Sequence, residues 1–218
     1  GLSNYKEAFK YYEFRKENKI IKDRIHDVKE QLGSNEWMGQ NLNKKKILII
    51  AEQGIGDNIQ FFRYLYFLKE SFDVEIIFYV SKNLLNLFEK TPFKVTSNLK
   101  NLKNIDYHQN LLSLPGIFYN KNNNFYKNEN YIKIDAINNK KWKNKLSEFQ
   151  KPVIALNWQG NKNFVFDDER SIKLTFFENI LNNSKYHFIS LQKGFGSEQI
   201  EQNNYSKLIS DFSNSIDI

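Results

Sequence analysis

The chain has 218 residues, of which 40% are hydrophobic and none is cysteine, and its formal net charge is +7. The lack of cysteine excludes disulfide scaffolds and thiolate zinc sites, and His26, His108 and His187 have no metal-ligand spacing, so we expect no metal site. Lysines are spread along the whole chain rather than gathered in one stripe, which favours a solvated surface over a nucleic-acid groove. We therefore expect no nucleic-acid partner.

The sequence pattern contains no signal for a membrane or for secretion. The longest uninterrupted apolar run, residues 47–51, is far too short to cross a bilayer, and residues 1–20 lack the apolar core of a signal peptide. The 19 Phe, 12 Tyr and 3 Trp provide enough apolar surface for a globular core. We expect a cytoplasmic protein with no membrane span.

Two amphipathic helices are predicted at the start of the chain. The first has four apolar or aromatic residues at the i, i+3, i+4, i+7 spacing of one helical face, namely Tyr5, Ala8, Phe9 and Tyr12. A second apolar face runs over residues 20–32 and ends at Gly33. Because neither helix has a core of its own, we interpret residues 1–36 as a helical repeat remnant and linker.

An alternation of strands and helices follows and predicts an α/β domain over residues 37–150. Its strongest element is the apolar run at residues 47–51, which is typical of a buried strand in a parallel sheet. The predicted later elements are a helix over 58–70, a strand over 74–80, a helix over 81–90, strands over 93–96 and 131–134, and a helix over 140–149. Residues 120–130 are rich in asparagine and indicate a surface loop.

The alternation restarts after Pro152 and predicts a second α/β domain over residues 151–218. Strands are expected over 153–158 and 186–191, with a helix over 174–181 between them. Too little sequence follows to complete a second doubly wound sheet, so we expect this Rossmann-like domain to be truncated.

The loop after the first strong strand is the best candidate site. Its residues Gln53, Gly54, Gly56 and Asp57 lead straight into a helix, where glycines allow close approach and free N–H groups favour an anion or a carbonyl oxygen. The alternative is a tight turn in which Asp57 only caps the helix. The third glycine of the dinucleotide fingerprint is absent.

Two further segments follow predicted strands of the second domain. Trp158, Gly160 and Asn161 precede Arg170 and Ser171, so that a ring could stack on a base or sugar while the guanidinium binds a phosphate. The alternative is a core tryptophan with an arginine held by the acidic residues beside it.

The other segment contains Gln192, Lys193 and Gly194. Lys193 could meet a diphosphate, and Gln192 could hydrogen-bond a base or ribose, although a lone lysine in a turn is usually just solvated.

Together these segments resemble the bacterial tetratricopeptide-repeat glycosyltransferases, which are related to the heptosyltransferases and more remotely to O-linked N-acetylglucosamine transferase. The resemblance rests mainly on residues 51–64, with support from residues 158–161, 170–171 and 191–194. Residues 5–15 resemble the last repeat of that family, and the segments 106–108 and 112–115 resemble one of its middle motifs.

The resemblance implies a GT-B-like pair of Rossmann-like domains with acceptor contacts on the first and a nucleotide-sugar donor on the second. It implies a hexosyl or heptosyl transfer with Asp57 as the general base. Lys193 and Arg170 would offset charge on the leaving diphosphate, without a metal or another cofactor. The implied substrate-binding residues are Gln53, Gly54, Gly56, Trp158, Gly160, Asn161, Arg170, Ser171, Gln192, Lys193 and Gly194.

The sequence departs from the family pattern in two places. Relatives usually carry a histidine in the loop after the Trp-x-Gly-Asn motif, whereas residues 162–166 contain none, and relatives continue beyond the equivalent of Ile218 into a donor-binding motif. The acceptor, a glycan or a protein, is not specified. The alternative function is a non-catalytic repeat-associated module whose N-terminal helices bind a protein partner.

Overall fold

Parallel sheets form the centre of both parts of the chain, whose computed structural model describes residues 4–119, 130–132 and 136–215. The chain divides into two units, Gly1–Lys133 and Ile134–Ile218. The first unit has a sheet of five strands and the second a sheet of three, so the predicted α/β class is confirmed. Within the described ranges, no helix has the length and apolar character needed to cross a membrane.

The first unit contains six helices and five strands among the described residues. The helices are α1 (Tyr5–Tyr12), α2 (Lys19–Leu32), α3 (Ile55–Phe61), α4 (Arg63–Ser71), α5 (Leu85–Phe88) and α6 (Leu114–Tyr119). The strands are β1 (Asn35–Glu36), β2 (Lys45–Ile50), β3 (Val74–Tyr79), β4 (Lys94–Thr96) and β5 (Tyr107–Asn110). A 3-10 turn, Glu13–Glu17, joins α1 to α2.

The first sheet has the order β1-β5-β2-β3-β4, and all of its strand pairs are parallel. From β2 the chain proceeds to β3 and β4 on one side and then returns to place β5 on the other side of β2. The ends of β2 and β5 therefore flank a topological switch point, which is where open α/β sheets bind ligands.

The central strand β2 buries apolar side chains on both of its faces. Ile47 and Ile49 belong to a core cluster with α4, while Leu48 and Ile50 pack in a cluster with Val28 of α2. Val28 is fully buried, so the second predicted N-terminal helix covers one face of this sheet. It ends, as predicted, at Gly33, which has a left-handed φ of 61°.

Several predicted boundaries move in the structure. Helix α3 begins at Ile55 rather than at residue 58, and the predicted helix divides at Phe62 into α3 and α4. Strand β5 lies in a stretch for which the sequence predicts no strand. Of the asparagine-rich loop predicted over 120–130, residues 120–129 lie outside the described part, as do residues 133–134 of the strand predicted over 131–134.

The second unit has helices α7 (Ala136–Ser147), α8 (Glu178–Leu181) and α9 (Gln199–Gln202), and strands β6 (Val153–Leu156), β7 (His187–Ser190) and β8 (Ile209–Asp211). Its parallel strands have the order β6-β7-β8.

Helix α7 is part of the second unit, although the sequence places the domain boundary after residue 150. Lys145 lies over the rings of Trp142 and Phe212, at 5.4 and 4.9 Å from their centroids. Its Nζ also donates a hydrogen bond to Ser215 Oγ at 2.8 Å. These contacts connect α7 to the segment that follows β8, and α7 is accordingly part of the second unit.

Candidate functional site

The loop between β2 and α3 is held together by Asn58. Its Oδ1 accepts a hydrogen bond from Glu52 N at 3.1 Å, and its Nδ2 donates to Glu52 O at 3.1 Å and to Gly54 O at 2.8 Å. Asn58 is 3% exposed, so these bonds are shielded from water. The loop has one well-defined conformation at the switch point of the sheet.

Asp57 caps the helix that follows this loop. Its Oδ2 accepts a hydrogen bond from Gly54 N at 3.0 Å, in a capping-box arrangement. Among the described residues, Asp57 Oδ1 has no hydrogen-bond partner, and the side chain is half-buried. Beside it, a Cβ added to Gly56 would meet no atom within 4 Å. Asp57 therefore caps the helix, as the alternative interpretation of this loop expects. Its second carboxylate oxygen, Oδ1, is left for another partner.

Gln53 extends from the loop in an uncommon backbone conformation. Its φ is 58°, in the left-handed region that residues other than glycine seldom occupy. The Gln53 side chain is exposed and contacts the Tyr12 hydroxyl, with Nε2 to Oη at 3.2 Å. Such conformations persist where neighbouring groups hold them, and they are concentrated at functional sites.

Arg15 fastens the N-terminal segment to this loop. Its Nε donates to Glu52 Oε2 at 3.1 Å, and its Nη2 donates to Glu52 Oε1 at 2.8 Å and to Ser113 Oγ at 2.8 Å. Glu52 Oε1 also accepts from Leu112 N at 3.1 Å. One buried carboxylate thus connects the ends of β2 and β5 with the 3-10 turn.

A second acidic group extends this network. Glu13 Oε1 accepts from Arg15 Nη1 at 2.7 Å, and Glu13 Oε2 accepts from Ser113 Oγ and forms an ion pair with Lys16 Nζ at 2.7 Å. Although burial opposes it, the hydrogen bonds from Lys16 and Arg15 hold the pKa of Glu13 below its ordinary value. Lys16 also pairs with Glu36 of β1 at 2.6 Å. No local sequence pattern indicates this network, because Glu52 and Ser113 lie 37 and 98 residues from Arg15 along the chain.

In the second unit, Gln192 joins the loops that follow β6 and β7. Its Oε1 accepts from the backbone N–H groups of Trp158 and Gln159, at 3.1 and 2.9 Å. Its Nε2 donates to Gln159 O at 3.2 Å and to Phe195 O at 2.8 Å. All the strong hydrogen-bonding positions of this buried amide are occupied, so Gln192 sets the loop geometry and has no donor left for a base or ribose.

Trp158 belongs to the core of the second unit. It is 3% exposed and packs with Leu156, Leu174 and Phe188. Its Nε1 donates to Gly196 O at 3.2 Å. Trp158 is therefore a core residue, as the alternative interpretation expects. Its ring has no exposed face on which a base or sugar could stack.

Gly160 lies against the ion pair of Arg170 and Asp167. Arg170 Nε donates to Asp167 Oδ1 at 3.0 Å, and Gly160 N donates to Ser171 Oγ at 2.9 Å. A Cβ at Gly160 would lie only 2.7 Å from Asp167 Oδ1 and 2.8 Å from Arg170 Nη2. A side chain at this position would displace the ion pair, and three of the predicted site residues, Gly160, Arg170 and Ser171, lie together.

A pocket of about 520 Å³ opens at the end of β6, beside this ion pair. It is lined by the rings of Phe164 and Phe195, which are 47% and 46% exposed, and by polar side chains that include Lys162, Lys173, Asp167 and Asp168. The Lys162 Nζ lies 5.1 Å from the Phe195 ring centroid, and the Arg170 guanidinium lies 4.4 Å from that of Phe164. Sequence reasoning did not single out Lys162, Phe164 or Phe195, although a Phe-x-Phe segment in a polar loop is a usable signal.

The remaining predicted residues occupy turns near this pocket. Asn161 is exposed, and its Oδ1 accepts from Asn163 N at 3.0 Å. Gly194 has a left-handed φ of 71°, and its carbonyl accepts from Ser197 N at 3.0 Å. Lys193 is exposed beside it. These residues shape the turns, and Lys193 adds a cation to this end of the sheet.

In the part of the chain that the structure describes, no group of three or more His, Asp or Glu side chains is arranged to hold a metal ion. Comparisons of the chain with protein-family models, with curated proteins and with solved structures found no match. The interpretation of the two loop clusters therefore depends on their own chemistry.

Proposed function

We propose that the chain is a glycosyltransferase-like protein that transfers a hexosyl or heptosyl group from a nucleotide-sugar donor to an acceptor hydroxyl. The observation that carries this proposal is the pocket at the end of β6, where two cations and two exposed aromatic rings adjoin the Gly160 loop. The GT-B-like pairing of two Rossmann-like units and a cytoplasmic location are parts of the same proposal.

The composition of the pocket suits a nucleoside diphosphate. Phe164 and Phe195 offer aromatic faces on which a base can stack. Lys162 in the pocket and Arg170, which packs on the Phe164 ring, offer positive charge for a diphosphate, and this charge is partly offset by Asp168. Asp167 offsets part of the charge of Arg170, and it also fixes the direction of the guanidinium. A diphosphate would compete with Asp167 for Arg170, so we expect moderate affinity.

Asp57 is the proposed general base on the acceptor side. Its Oδ2 is held by Gly54 N, while Oδ1 is available to take the proton of an acceptor hydroxyl. The acceptor oxygen then forms the new bond to the anomeric carbon of the sugar, and the bond from that carbon to the diphosphate oxygen breaks. The nucleoside diphosphate leaves with the electron pair of the broken bond.

A thermal-shift panel tests the donor site. The panel contains UDP, GDP, ADP, CMP and their sugar conjugates, and a ligand present at a hundred times its Kd stabilises the fold by about 2.7 kcal/mol. We expect one nucleotide class to stabilise the wild-type chain and the Lys185→Ala control, and to lose its effect in Arg170→Ala and Lys162→Ala. No stabilisation by any nucleotide would contradict the donor site.

The Asp57→Asn variant tests the base. The asparagine Oδ1 can still accept from Gly54 N, so the cap and the fold are retained while the proton acceptor is lost. We expect sugar transfer to fall by at least a hundredfold with an unchanged melting temperature. Transfer at the wild-type rate would show that Asp57 is only a cap.

A second candidate function is a non-catalytic module that binds a protein partner through the N-terminal helices. It is favoured by the exposed side chains of Phe14 and Ile20, which are 69% and 80% exposed. If this function is correct, Asp57→Asn leaves partner binding intact, whereas replacing Phe14 with Asp abolishes it. A pull-down with each variant separates the two functions.

A further inference from the structure

The Tyr12 hydroxyl lies beside the loop that carries Asp57, although Tyr12 comes from the N-terminal helix α1. Its contacts with Gln53 are long, at 3.4 Å from Oη to Oε1 and 3.2 Å from Nε2 to Oη. Tyr12 is 38% exposed, so its hydroxyl can be reached from solvent. Because these hydrogen bonds are weak and accessible, a substrate hydroxyl can replace one of them.

The Tyr12 hydroxyl contacts Gln53, which lies four residues before Asp57 in the same loop. Burial raises the pKa of the Tyr12 hydroxyl above its ordinary value of 10.0, and the charges of Asp57 and Glu52 add to this effect against the hydrogen bond from Gln53 and the charge of Arg15. Tyr12 therefore keeps its proton at neutral pH. It can donate one hydrogen bond and accept another beside the loop that carries Asp57.

The Arg15 side chain limits the orientation of the Tyr12 ring. The Arg15 guanidinium lies 4.6 Å from the ring centroid, and the same guanidinium is bound to the buried carboxylate of Glu52. Arg15 also donates to the Tyr12 carbonyl at 3.1 Å. The ring is thus packed against a group that is itself held by the sheet, which limits the positions of the hydroxyl.

We propose that Tyr12 belongs to the acceptor site, where its hydroxyl hydrogen-bonds the acceptor and directs the reacting hydroxyl to Asp57. Arg15 is a positioning residue that holds the Tyr12 ring. The proposal rests on the transferase function proposed above, and it makes the N-terminal helical segment a component of the site. The first unit alone then lacks a complete acceptor site when this segment is removed.

The matched variants Tyr12→Phe and Tyr11→Phe test this proposal. Both remove one hydroxyl from the same helix and retain the ring, but Tyr11 is 63% exposed and its ring stacks on that of Phe14. The probes are the sugar conjugate selected by the nucleotide panel and p-nitrophenyl glycosides as acceptors, with release of nucleoside diphosphate as the readout. We expect Tyr12→Phe to lower kcat/KM for the acceptor roughly tenfold, while Tyr11→Phe matches the wild type.

The outcomes separate this proposal from the transferase function. Nucleotide-induced stabilisation should be the same in both variants, because the donor pocket belongs to the second unit. Equal acceptor kcat/KM in Tyr12→Phe and the wild type overturns the role of Tyr12 and leaves the transferase proposal standing. A loss of nucleotide stabilisation in Tyr12→Phe also overturns it, since the effect is then not local. Absence of transfer by the wild type overturns both proposals.

Discussion

Arg15 and Glu52, 37 residues apart in the sequence, form a two-point ion pair with bonds of 3.1 and 2.8 Å. The two side chains are only 8% and 2% exposed. A carboxylate buried to this extent depends on its partner, because an uncompensated charge in the interior is costly. The N-terminal segment and the first sheet are therefore expected to unfold together.

Replacing Arg15 with alanine removes this partner. We expect the first unit to lose about 3–5 kcal/mol of unfolding free energy, because Glu52 then stays buried without a counter-charge. Urea denaturation followed by hydrogen exchange of the β2 amides measures this loss in the first unit alone. Lys22→Ala is the control, since the exposed pair of Lys22 and Glu17 should contribute at most about 1 kcal/mol. Equal effects of the two variants would contradict this account.

Replacing Asn58 with alanine removes three buried hydrogen bonds of the β2–α3 loop. We expect a loss of about 2–4 kcal/mol, because the Glu52 N–H and carbonyl and the Gly54 carbonyl lose their side-chain partner. The exposed Asn86 in α5 provides the matched control, and Asn86→Ala should change stability by less than about 0.5 kcal/mol. Chemical denaturation of both variants measures the two free energies of unfolding. A wild-type denaturation midpoint for Asn58→Ala would contradict the stabilising role of the Asn58 side chain.

Replacing Gly160 with alanine places a Cβ 2.7 Å from Asp167 Oδ1. The ion pair of Asp167 and Arg170 must then move, so we expect a loss of about 1–3 kcal/mol in the second unit and a weaker nucleotide-induced thermal shift. Gly56→Ala is the control, because no atom lies within 4 Å of the new methyl group. Its free energy of unfolding should stay the same or rise by up to about 1 kcal/mol. Similar melting temperatures for the two variants would mean that the Arg170 loop adapts freely.

Acidification should destabilise the first unit through His108. Burial, followed by the charge of Lys29, lowers the pKa of His108 below its ordinary value of 6.5, and its Nε2 has no hydrogen-bond partner among the described residues. Below pH 6.5, His108 binds a proton in the unfolded chain but not in the folded chain, because its pKa is lower in the folded chain. Stability is therefore fully present above pH 6.5 and falls with pH by up to about 1.4 kcal/mol per unit, until the folded pKa is reached.

The pH dependence of unfolding between pH 7.5 and 5.5 tests this expectation. The lowered pKa values of Glu13 and Glu36 act in a different window, because stability from these carboxylates is lost only as the pH falls below their ordinary value of 4.5. His108→Gln should flatten the slope above pH 5.5, whereas His26→Gln, with a side chain 66% exposed, should retain it. A wild-type slope in His108→Gln would exclude His108 as its cause.

Local patterns predicted the elements that carry apolar runs. Strand β2 and the helix after it follow from five consecutive apolar residues and a glycine-containing loop, and the end of α2 follows from Gly33. Strand β5 could not be found in this way, since its last three residues are His108, Gln109 and Asn110. These polar residues are at most 2% exposed because β5 lies between β1 and β2, which is a property of the sheet order and not of the segment.

The same distinction applies to the candidate sites. The sequence singles out Asp57, Gly160 and Arg170 as candidates from their positions after strands, and these stay predictions. It could not tell a structural amide such as Gln192 from a ligand-binding one. That difference depends on four hydrogen bonds to groups brought close by folding. The sequence also could not predict that Arg15 links the N-terminal segment to the first sheet, because its acceptors Glu52 and Ser113 lie 37 and 98 residues away.

The position of Ser113 in the Arg15 network has a consequence for synthesis of the chain. Arg15 cannot complete its hydrogen bonds until Ser113, 98 residues later, has been translated. At about 5–20 residues per second this takes roughly 5–20 s. Throughout that interval α1 lacks Tyr119 of α6, on which its Tyr5 and Phe9 rings pack, and its apolar face is available to chaperones or to other nascent chains. Slow or paused translation before β5 should therefore favour aggregation of this chain.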